Sequence, residues 1–159
     1  MVLNTWRQVE VYLKKAIRDG MEDVGKAVEY KTREKINDVV YSNPTTPDIY
    51  IRTRELENSL IHSQPTQIGN ETSVEIKHED ALLGHYAPNQ HMSVVNGDLL
   101  PVEALAEIVN YGKAGHIFGT GYFTEPRPYF DEARQEVLDE NLHVNTLKES
   151  LISKGFTVI

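Results

Sequence analysis

The sequence contains no cysteine, which excludes disulfide bonds, thiolate metal sites and cysteine nucleophiles. It also lacks any apolar run of the roughly 18–20 residues that a membrane-spanning helix requires. The first segment, MVLNTWRQVEVYLKKAIRDG, mixes charged and apolar residues from its start, unlike a signal peptide. These absences predict a soluble protein that is made in the cytoplasm and carries no membrane segment.

Basic residues are also scarce. The chain has 16 Lys and Arg against 24 Asp and Glu, a net charge of −8, and Lys14–Lys15 is its only adjacent basic pair. Proteins that grip nucleic acid by its phosphates carry a clustered basic surface. The charge balance therefore predicts no specific nucleic-acid binding, although a surface past which DNA moves without sticking remains compatible with it.

Apolar residues recur at helical spacing from the N-terminus, and this pattern predicts one long helix over about residues 5–40. Gly20 and Gly25 lie inside it and lower its stability, so we expect a bend there. We also expect the far end of the helix to be less buried than its start. The stripe consists of Val9, Leu13, Ile17, Met21, Val24 and Val28.

A hairpin and sheet region is predicted for residues 53–125. Residues 53–60 favour a short helical turn, and the period-two pattern of residues 72–78 is typical of a half-buried strand. Gly69-Asn70 is a plausible turn back to a strand near residues 60–64. The segment HMSVV offers another strand, and a helix over about residues 101–111 is inserted before Gly112, which suits a left-handed helix end.

The C-terminal region, residues 127–154, favours helices. Pro128 opens one, with Asp131 and Glu132 near its positive end. A last helix over about residues 146–154 ends at Gly155, where Phe156 can fold back on Leu151. The buried side of the first of these helices is predicted to consist of Phe130, Ala133, Val137 and Leu138. The sequence thus predicts a single α+β domain over residues 1–159, with a long N-terminal helix and C-terminal helices packed on a small antiparallel sheet.

The glycine-rich segment VNYGKAGHIFGTGYFTEPRPYF, residues 109–130, raises the question of a nucleotide site. It does not fit a P-loop, because Gly112-Lys113 is followed by Ala114 instead of Ser or Thr. GTGYFT supplies only the first two glycines of the dinucleotide fingerprint, and no βαβ unit surrounds it. We therefore predict an aromatic packing turn and no cofactor.

No pattern of catalytic residues is recognisable, since no nucleophile stands beside a base. One alternative from a different class is a small metal-dependent hydrolase that uses His78, Asp80, His85 and His91, although their spacing matches no zinc pattern. The prediction is that the protein is not an enzyme and has no catalytic, cofactor-binding or metal-binding residue. Arg52 and Arg54 favour an ion pair with Glu55 or Glu57, or an interface contact, over a phosphate site.

Three segments in one order carry a resemblance to a known family. A long charged helix runs into a proline-containing loop, IRTRELENSL opens a hairpin at residues 51–60, and IVNYGKAG at residues 108–115 precedes PRPYFDEA at residues 126–133. This order resembles the neck and tail-completion proteins of long-tailed bacteriophages, whose hairpin usually begins like dTGrLrnSI. Glu55 departs from that motif, and its usual glycine is replaced by Arg52 or Thr53. The residues that match the three motifs are Arg54, Leu56, Asn58, Ser59, Leu60, Asn110, Tyr111, Gly112, Pro126, Arg127, Pro128, Tyr129, Phe130 and Ala133.

The resemblance implies a structural virion protein that joins or completes the head–tail junction. It implies a homo-oligomeric ring, six-fold by expectation, in contact with other phage neck or tail proteins, with DNA passing nearby. A tail terminator, a stopper ring and a cytoplasmic adaptor outside any virus remain alternatives. The candidate interface residues are Arg52, Arg54, Leu56, Tyr111, Lys113, Phe118, Tyr122, Phe123, Arg127 and Tyr129.

Overall fold

A computed structural model describes residues 5–42, 54–79, 82, 94–95, 98–99, 104–112 and 126–158. Helix α1 is followed directly by a π-helical segment, and together they match the extent of the predicted long helix. The predicted α+β class is confirmed. In chain order the elements are α1 (Trp6–Lys35), the π-helical segment (Ile36–Tyr41), α2 (Glu55–Asn58), β1 (Leu60–His62), β2 (Thr66–Ile68), β3 (Glu71–Ser73), β4 (Ile76–His78), β5 (Val94–Val95), β6 (Asp98–Leu99), α3 (Ala104–Tyr111), α4 (Tyr129–Asp139) and α5 (Leu142–Ser153).

The described strands form three separate pairs instead of one sheet. β1 pairs with β4, β2 with β3, and β5 with β6. The β2–β3 hairpin is antiparallel, with Ile68 opposite Glu71 across the predicted Gly69-Asn70 turn. The prediction of one continuous strand over residues 72–78 is wrong. The backbone N–H of Ser63 donates to the Glu75 carbonyl at 2.8 Å, and the chain changes partner there from β2 to β1.

The chain divides into two compact units. The first unit comprises Met1–Tyr30, His62–Lys77 and Glu136–Ile159, and the second comprises Lys31–Ile61 and His78–Gln135. The prediction of a single domain stays a prediction. Each unit is described by itself below.

In the first unit, the two glycines of α1 mark places where other elements come close to the helix. A Cβ added at Gly20 would lie 2.7 Å from Leu147 Cδ1, and one at Gly25 would lie 2.8 Å from Val74 Cγ2. Helix α1 continues through both positions, and the close approach of these side chains gives a reason for the glycines. A larger residue at Gly25 would also meet the ring of His62, whose Cδ2 lies 3.0 Å away.

The C-terminal end of α5 is capped as the sequence predicts. Gly155 has a φ of 88°, and the N–H of Phe156 donates to the Leu151 carbonyl at 3.1 Å, the pattern of a Schellman motif. The Phe156 ring stacks on Tyr12 at a centroid distance of 5.4 Å, and the Tyr12 hydroxyl donates to the Lys154 carbonyl at 3.0 Å. Helix α5 begins at Leu142, four residues before the predicted start, directly after a left-handed residue at Asn141.

Burial along the long helix runs opposite to the expectation. Ile36 is fully buried and Val40 nearly so, whereas Trp6 is 87% exposed. The expectation that the far end is less buried is therefore wrong. The far end belongs to the second unit and forms part of its core. Among the described residues, the buried apolar ones of that unit are Ile36, Val40, Leu56, Leu60, Val109, Tyr129 and Ala133.

Helix α4 buries a different set of residues from the predicted one. Ala133 and Val137 are buried as expected, but Leu138 is exposed and Phe130 is only half-buried. Tyr129 takes the place of Phe130 as the anchor of the helix, at a spacing of four residues before Ala133 and eight before Val137. Those three positions share one face of a helix.

Candidate functional site

The second unit joins the two C-terminal segments that carry the family resemblance. The N–H of Arg127 donates to the Val109 carbonyl at 2.9 Å, and the N–H of Phe130 donates to Asn110 Oδ1 at 3.0 Å. The buried Asn110 thus supplies an acceptor, its amide oxygen, for a backbone N–H in the first turn of α4. Gly112 follows with a φ of 69°, the left-handed conformation predicted for the end of α3.

A buried chain of hydrogen bonds links α4 to the start of β1. The Ser59 hydroxyl donates to the Leu56 carbonyl at 3.0 Å and lies 2.8 Å from His78 Nδ1. His78 Nε2 lies 2.8 Å from the Tyr129 hydroxyl. Because a hydroxyl has a single proton, Ser59 accepts its second bond from Nδ1–H. In the neutral form of the ring, Nε2 then accepts from the Tyr129 hydroxyl.

This polarity argues against a serine nucleophile. A general base would have to accept the serine proton, whereas His78 donates to Ser59. Ser59 is also fully buried, and Tyr129 is 1% exposed. Burial raises the pKa of Tyr129 far above its ordinary value, and nearby Tyr41 and Tyr111 raise it further. The phenol therefore stays protonated and keeps its role as a donor.

A polar cluster fixes the segment that opens the hairpin. Arg54 Nη1 lies 3.1 Å from Glu57 Oε2 and 3.2 Å from Asn37 Oδ1, so the predicted ion pair with Glu57 is present. The Arg54 guanidinium also lies over the Tyr41 ring, 5.6 Å from its centroid. Asn37 Nδ2 completes the cluster with a bond to Glu57 Oε1 at 3.0 Å. The π-helical segment thus supplies Asn37 and Tyr41, two of the four residues of this cluster.

Arg33 contacts the same segment, a role that was not among the predictions. Its Nη1 donates to the Glu57 carbonyl at 2.7 Å and its Nη2 to the Leu60 carbonyl at 2.5 Å. The planar fork of a guanidinium suits two carbonyls held at a fixed separation. The only available signal was spacing, since Arg33 and Asn37 are four residues apart and face the same side of a helix.

An unusual backbone conformation occurs where the hairpin segment begins. Arg54 has a φ of 58°, in the left-handed region that favours glycine. The glycine of the family motif was assigned to Arg52 or Thr53, both of which lie outside the described residues.

Five of the ten predicted interface residues can be assessed. Leu56 and Tyr129 are buried in the core of the second unit, and their interface role stays a prediction. Arg54 and Tyr111 are exposed, and Arg127 is half-buried. Arg52, Lys113, Phe118, Tyr122 and Phe123 lie outside the described residues.

The exposed Arg54 and Tyr111 both belong to the second unit, as does the half-buried Tyr41 over which the Arg54 guanidinium lies. We call Tyr41, Arg54 and Tyr111 the tyrosine–arginine surface. Arg54 covers Tyr41, and both Tyr41 and Tyr111 act on the pKa of Tyr129 beneath them. Tyrosine and arginine are enriched where proteins bind one another. These residues are therefore the candidate contact residues of the second unit.

Replacing Arg54 with glycine removes its ion pair with Glu57 and also relieves its left-handed backbone. Glycine relieves the left-handed backbone, and the lost ion pair is exposed, so the two effects on stability oppose each other. We expect the free energy of unfolding to change by less than about 1 kcal/mol. Chemical denaturation followed by circular dichroism measures it. A loss well above that value would mean that the Arg54 side chain holds the fold together.

The described residues give no support to the metal-dependent hydrolase. No three of their His, Asp and Glu side chains could hold a metal ion together. Both ring nitrogens of His78 are engaged, by Ser59 and Tyr129. The other three proposed ligands, Asp80, His85 and His91, lie outside the described residues.

The first unit contains a second charged cluster, in which His62 lies between two carboxylates of α1. Its Nδ1 lies 2.5 Å from Glu29 Oε2 and its Nε2 lies 3.2 Å from Glu22 Oε1. The hydrogen bond to Glu29 chiefly raises the pKa of His62, against the effect of burial, and Glu22 raises it further. Hydrogen bonding to His62 in turn lowers the pKa of Glu22, which also pairs with Lys26 at 3.5 Å.

This cluster predicts a pH-dependent stability. Folding raises the pKa of His62 above its unfolded value of 6.5. Its contribution to the free energy of unfolding is therefore complete below pH 6.5 and is lost as the pH rises through the pKa of the folded state. We expect Glu29→Gln to lower the melting temperature by about 2–4 °C at pH 6 and by clearly less at pH 9. The exposed Glu34→Gln serves as the control. An equal loss at both values would contradict a charged His62.

Comparison with known families decides the relationship of the chain. The model of the YomN family matches residues 5–153. The chain belongs to the YomN family. The family name is that of a phage-derived, Bacillus-type gene, so the match indicates a phage-associated protein. No curated protein and no solved structure matches the chain. Within the described ranges, no helix combines the length and the apolarity needed to cross a membrane.

Proposed function

We propose that this protein is a structural component of the virion of a long-tailed phage, which joins or completes the head–tail junction. Membership of a phage-associated family supports the general setting. The order of the three motif segments, which resembles that of neck and tail-completion proteins, supports the particular role.

The observation that carries the proposal is the way the motif segments meet in the second unit. Asn110 of the NYG segment caps the PRPYF helix, and Ser59 of the hairpin start connects through His78 to Tyr129. The matching residues therefore build one interior, above which Arg54 and Tyr111 are exposed. Ser59, His78 and Tyr129 are residue types that often act in catalysis, but here they hydrogen-bond to one another. This structural use supports a non-enzymatic role.

Several copies around the DNA channel would use this surface together with others. A ring of identical subunits requires that one patch meets a different patch on the neighbour. A net charge of −8 per copy suits a subunit beside moving DNA, because few phosphates would be held by counterion release. The tyrosine–arginine surface would then contact other neck or tail proteins.

The test uses a phage that encodes this chain, with a stop codon early in the gene and electron microscopy of the lysate. We expect filled heads beside separate tails, with joining restored when purified protein is added. Restoration by wild-type protein but not by the stably folded Arg54→Gly variant would assign the contact to the tyrosine–arginine surface. Tails of abnormal length would identify a terminator instead. Normal infectious particles would refute the proposal.

A further inference from the structure

The first helix carries a basic surface that its surroundings do not explain. Residues 6–18 contain four Lys and Arg residues and one acidic residue, a local charge of +3 in a chain of net charge −8. Four of the side chains are spaced by four, three and four residues, so they share one face of α1 over about 17 Å. We call this face, together with its edge residue Lys15, the basic stripe; it consists of Arg7, Val11, Lys14, Lys15 and Arg18.

The cations of the basic stripe are largely unused within the described part of the chain. Lys14 pairs with Glu10 at 2.7 Å, but Arg7, Lys15 and Arg18 make no ion pair with any described residue. Val11 is 63% exposed among them. Apolar side chains between cations favour a protein partner that removes water over a strand of phosphates, which needs cations alone.

A surface of opposite charge lies elsewhere in the first unit, at the turn from α4 to α5. Residues 136–145 contain three carboxylates and neither Lys nor Arg, a local charge of −3 with His neutral. Leu138 and Val144 are partly exposed apolar residues on either side of the exposed Asp139 and Glu140. We call these four residues the acidic corner.

We propose that the basic stripe of one copy docks on the acidic corner of a second copy. The two surfaces are opposite in charge: the basic stripe has four cations, one of them paired with Glu10, and the acidic corner has two carboxylates. Each also includes an exposed apolar residue that would be buried between the charges. Because the two patches differ, the contact is heterologous. Repetition of the same contact from copy to copy can therefore build a ring. This inference rests on the proposed assembly function and supplies the subunit–subunit contact of the ring, separate from the tyrosine–arginine surface.

Charge reversal in the full-length chain tests this contact. The first variant combines Lys15→Glu with Arg18→Glu, and the second combines Asp139→Lys with Glu140→Lys. We expect wild-type protein to self-associate in analytical ultracentrifugation, more weakly as salt is added. Each variant alone should associate at least about tenfold more weakly, and an equimolar mixture should recover association because the reversed surfaces complement each other.

Matched controls change the same charges on the exposed side of the hairpin region. Lys77→Glu and Glu71→Lys alter the net charge equally per residue and should leave association unchanged. Circular dichroism confirms the fold of each variant. If the second variant does not fold, Val144→Arg on the exposed side of α5 introduces positive charge at the acidic corner in its place.

The remaining outcomes overturn the inference in distinguishable ways. Association that persists in both folded variants would place the subunit contact elsewhere and leave the assembly function intact. A wild-type chain that stays monomeric at all concentrations would refute docking between copies. Binding of duplex DNA that is lost in the first variant would make nucleic acid the partner. Normal particles from the stop-codon phage would instead refute the function itself.

Discussion

Replacement of Tyr129 by alanine is expected to lower the free energy of unfolding by about 3–5 kcal/mol. The side chain is 1% exposed and anchors α4 in the core of the second unit. Its ring lies edge-on to His78 at a centroid distance of 6.0 Å, so truncation leaves a cavity beside a polar ring. The loss combines the removed apolar area with the unfilled volume.

The conservative change Tyr129→Phe isolates the hydroxyl. It leaves His78 Nε2 without its partner in a buried site, and we expect a loss of about 1–3 kcal/mol. Urea denaturation followed by circular dichroism measures both variants, with the exposed Tyr30→Ala as a control that should stay within about 0.5 kcal/mol of wild type. If Tyr129→Phe were as stable as wild type, the chain from Ser59 to Tyr129 would not be formed.

Replacement of Arg33 by methionine should produce the second large loss, about 2–4 kcal/mol. Two carbonyls, those of Glu57 and Leu60, accept hydrogen bonds from its guanidinium, and neither can be satisfied by a thioether. Methionine retains most of the apolar stem, so the loss reports the polar contacts. Leu60 is the first residue of β1, so loss of the hydrogen bond to its carbonyl should also loosen the segment that contains Arg54.

Lysine at position 33 distinguishes charge from geometry. It keeps the positive charge, but its single ammonium group cannot match a planar fork, so we expect Arg33→Lys to recover less than half of the loss. Arg134→Met on the exposed side of α4 gives the matched control and should change stability by less than about 0.5 kcal/mol. Full recovery by lysine would show that charge alone holds the segment.

Features set by local sequence were predictable. The helical spacing gave the length of the first helix, and Gly112 and Gly155 adopt the left-handed helix ends expected of them. The α+β class followed from the order of such local patterns. Helix ends and turns depend on residues a few positions apart, which a single sequence displays directly.

Features set by distant partners were not predictable. The strand pattern of residues 72–78 was regular, but only the pairing with β1 and β2 shows that it divides. Ser59 and His78 are 19 residues apart, and His78 and Tyr129 are 51 apart. The sequence displays the type of each residue but not its partner, so His78 suggested a metal ligand and Tyr129 an interface residue. Both belong to the interior.

The same reason explains the misjudged burial of the long helix. Its start and its far end have comparable apolar residues, so periodicity alone cannot decide which end is covered. The far end is buried with residues of α2, α3 and α4, and the first turns expose Trp6. The same turns carry the basic stripe, from which docking between copies is inferred.

The copy number of this chain in purified infectious particles tests the proposed virion role most directly. Quantitative mass spectrometry of gradient-purified phage, with immunogold labelling of the same particles, gives both the amount and the position. We expect a fixed number of several copies per particle, with label at the junction of head and tail. A chain that is abundant in the lysate but absent from purified particles would contradict a structural place in the virion.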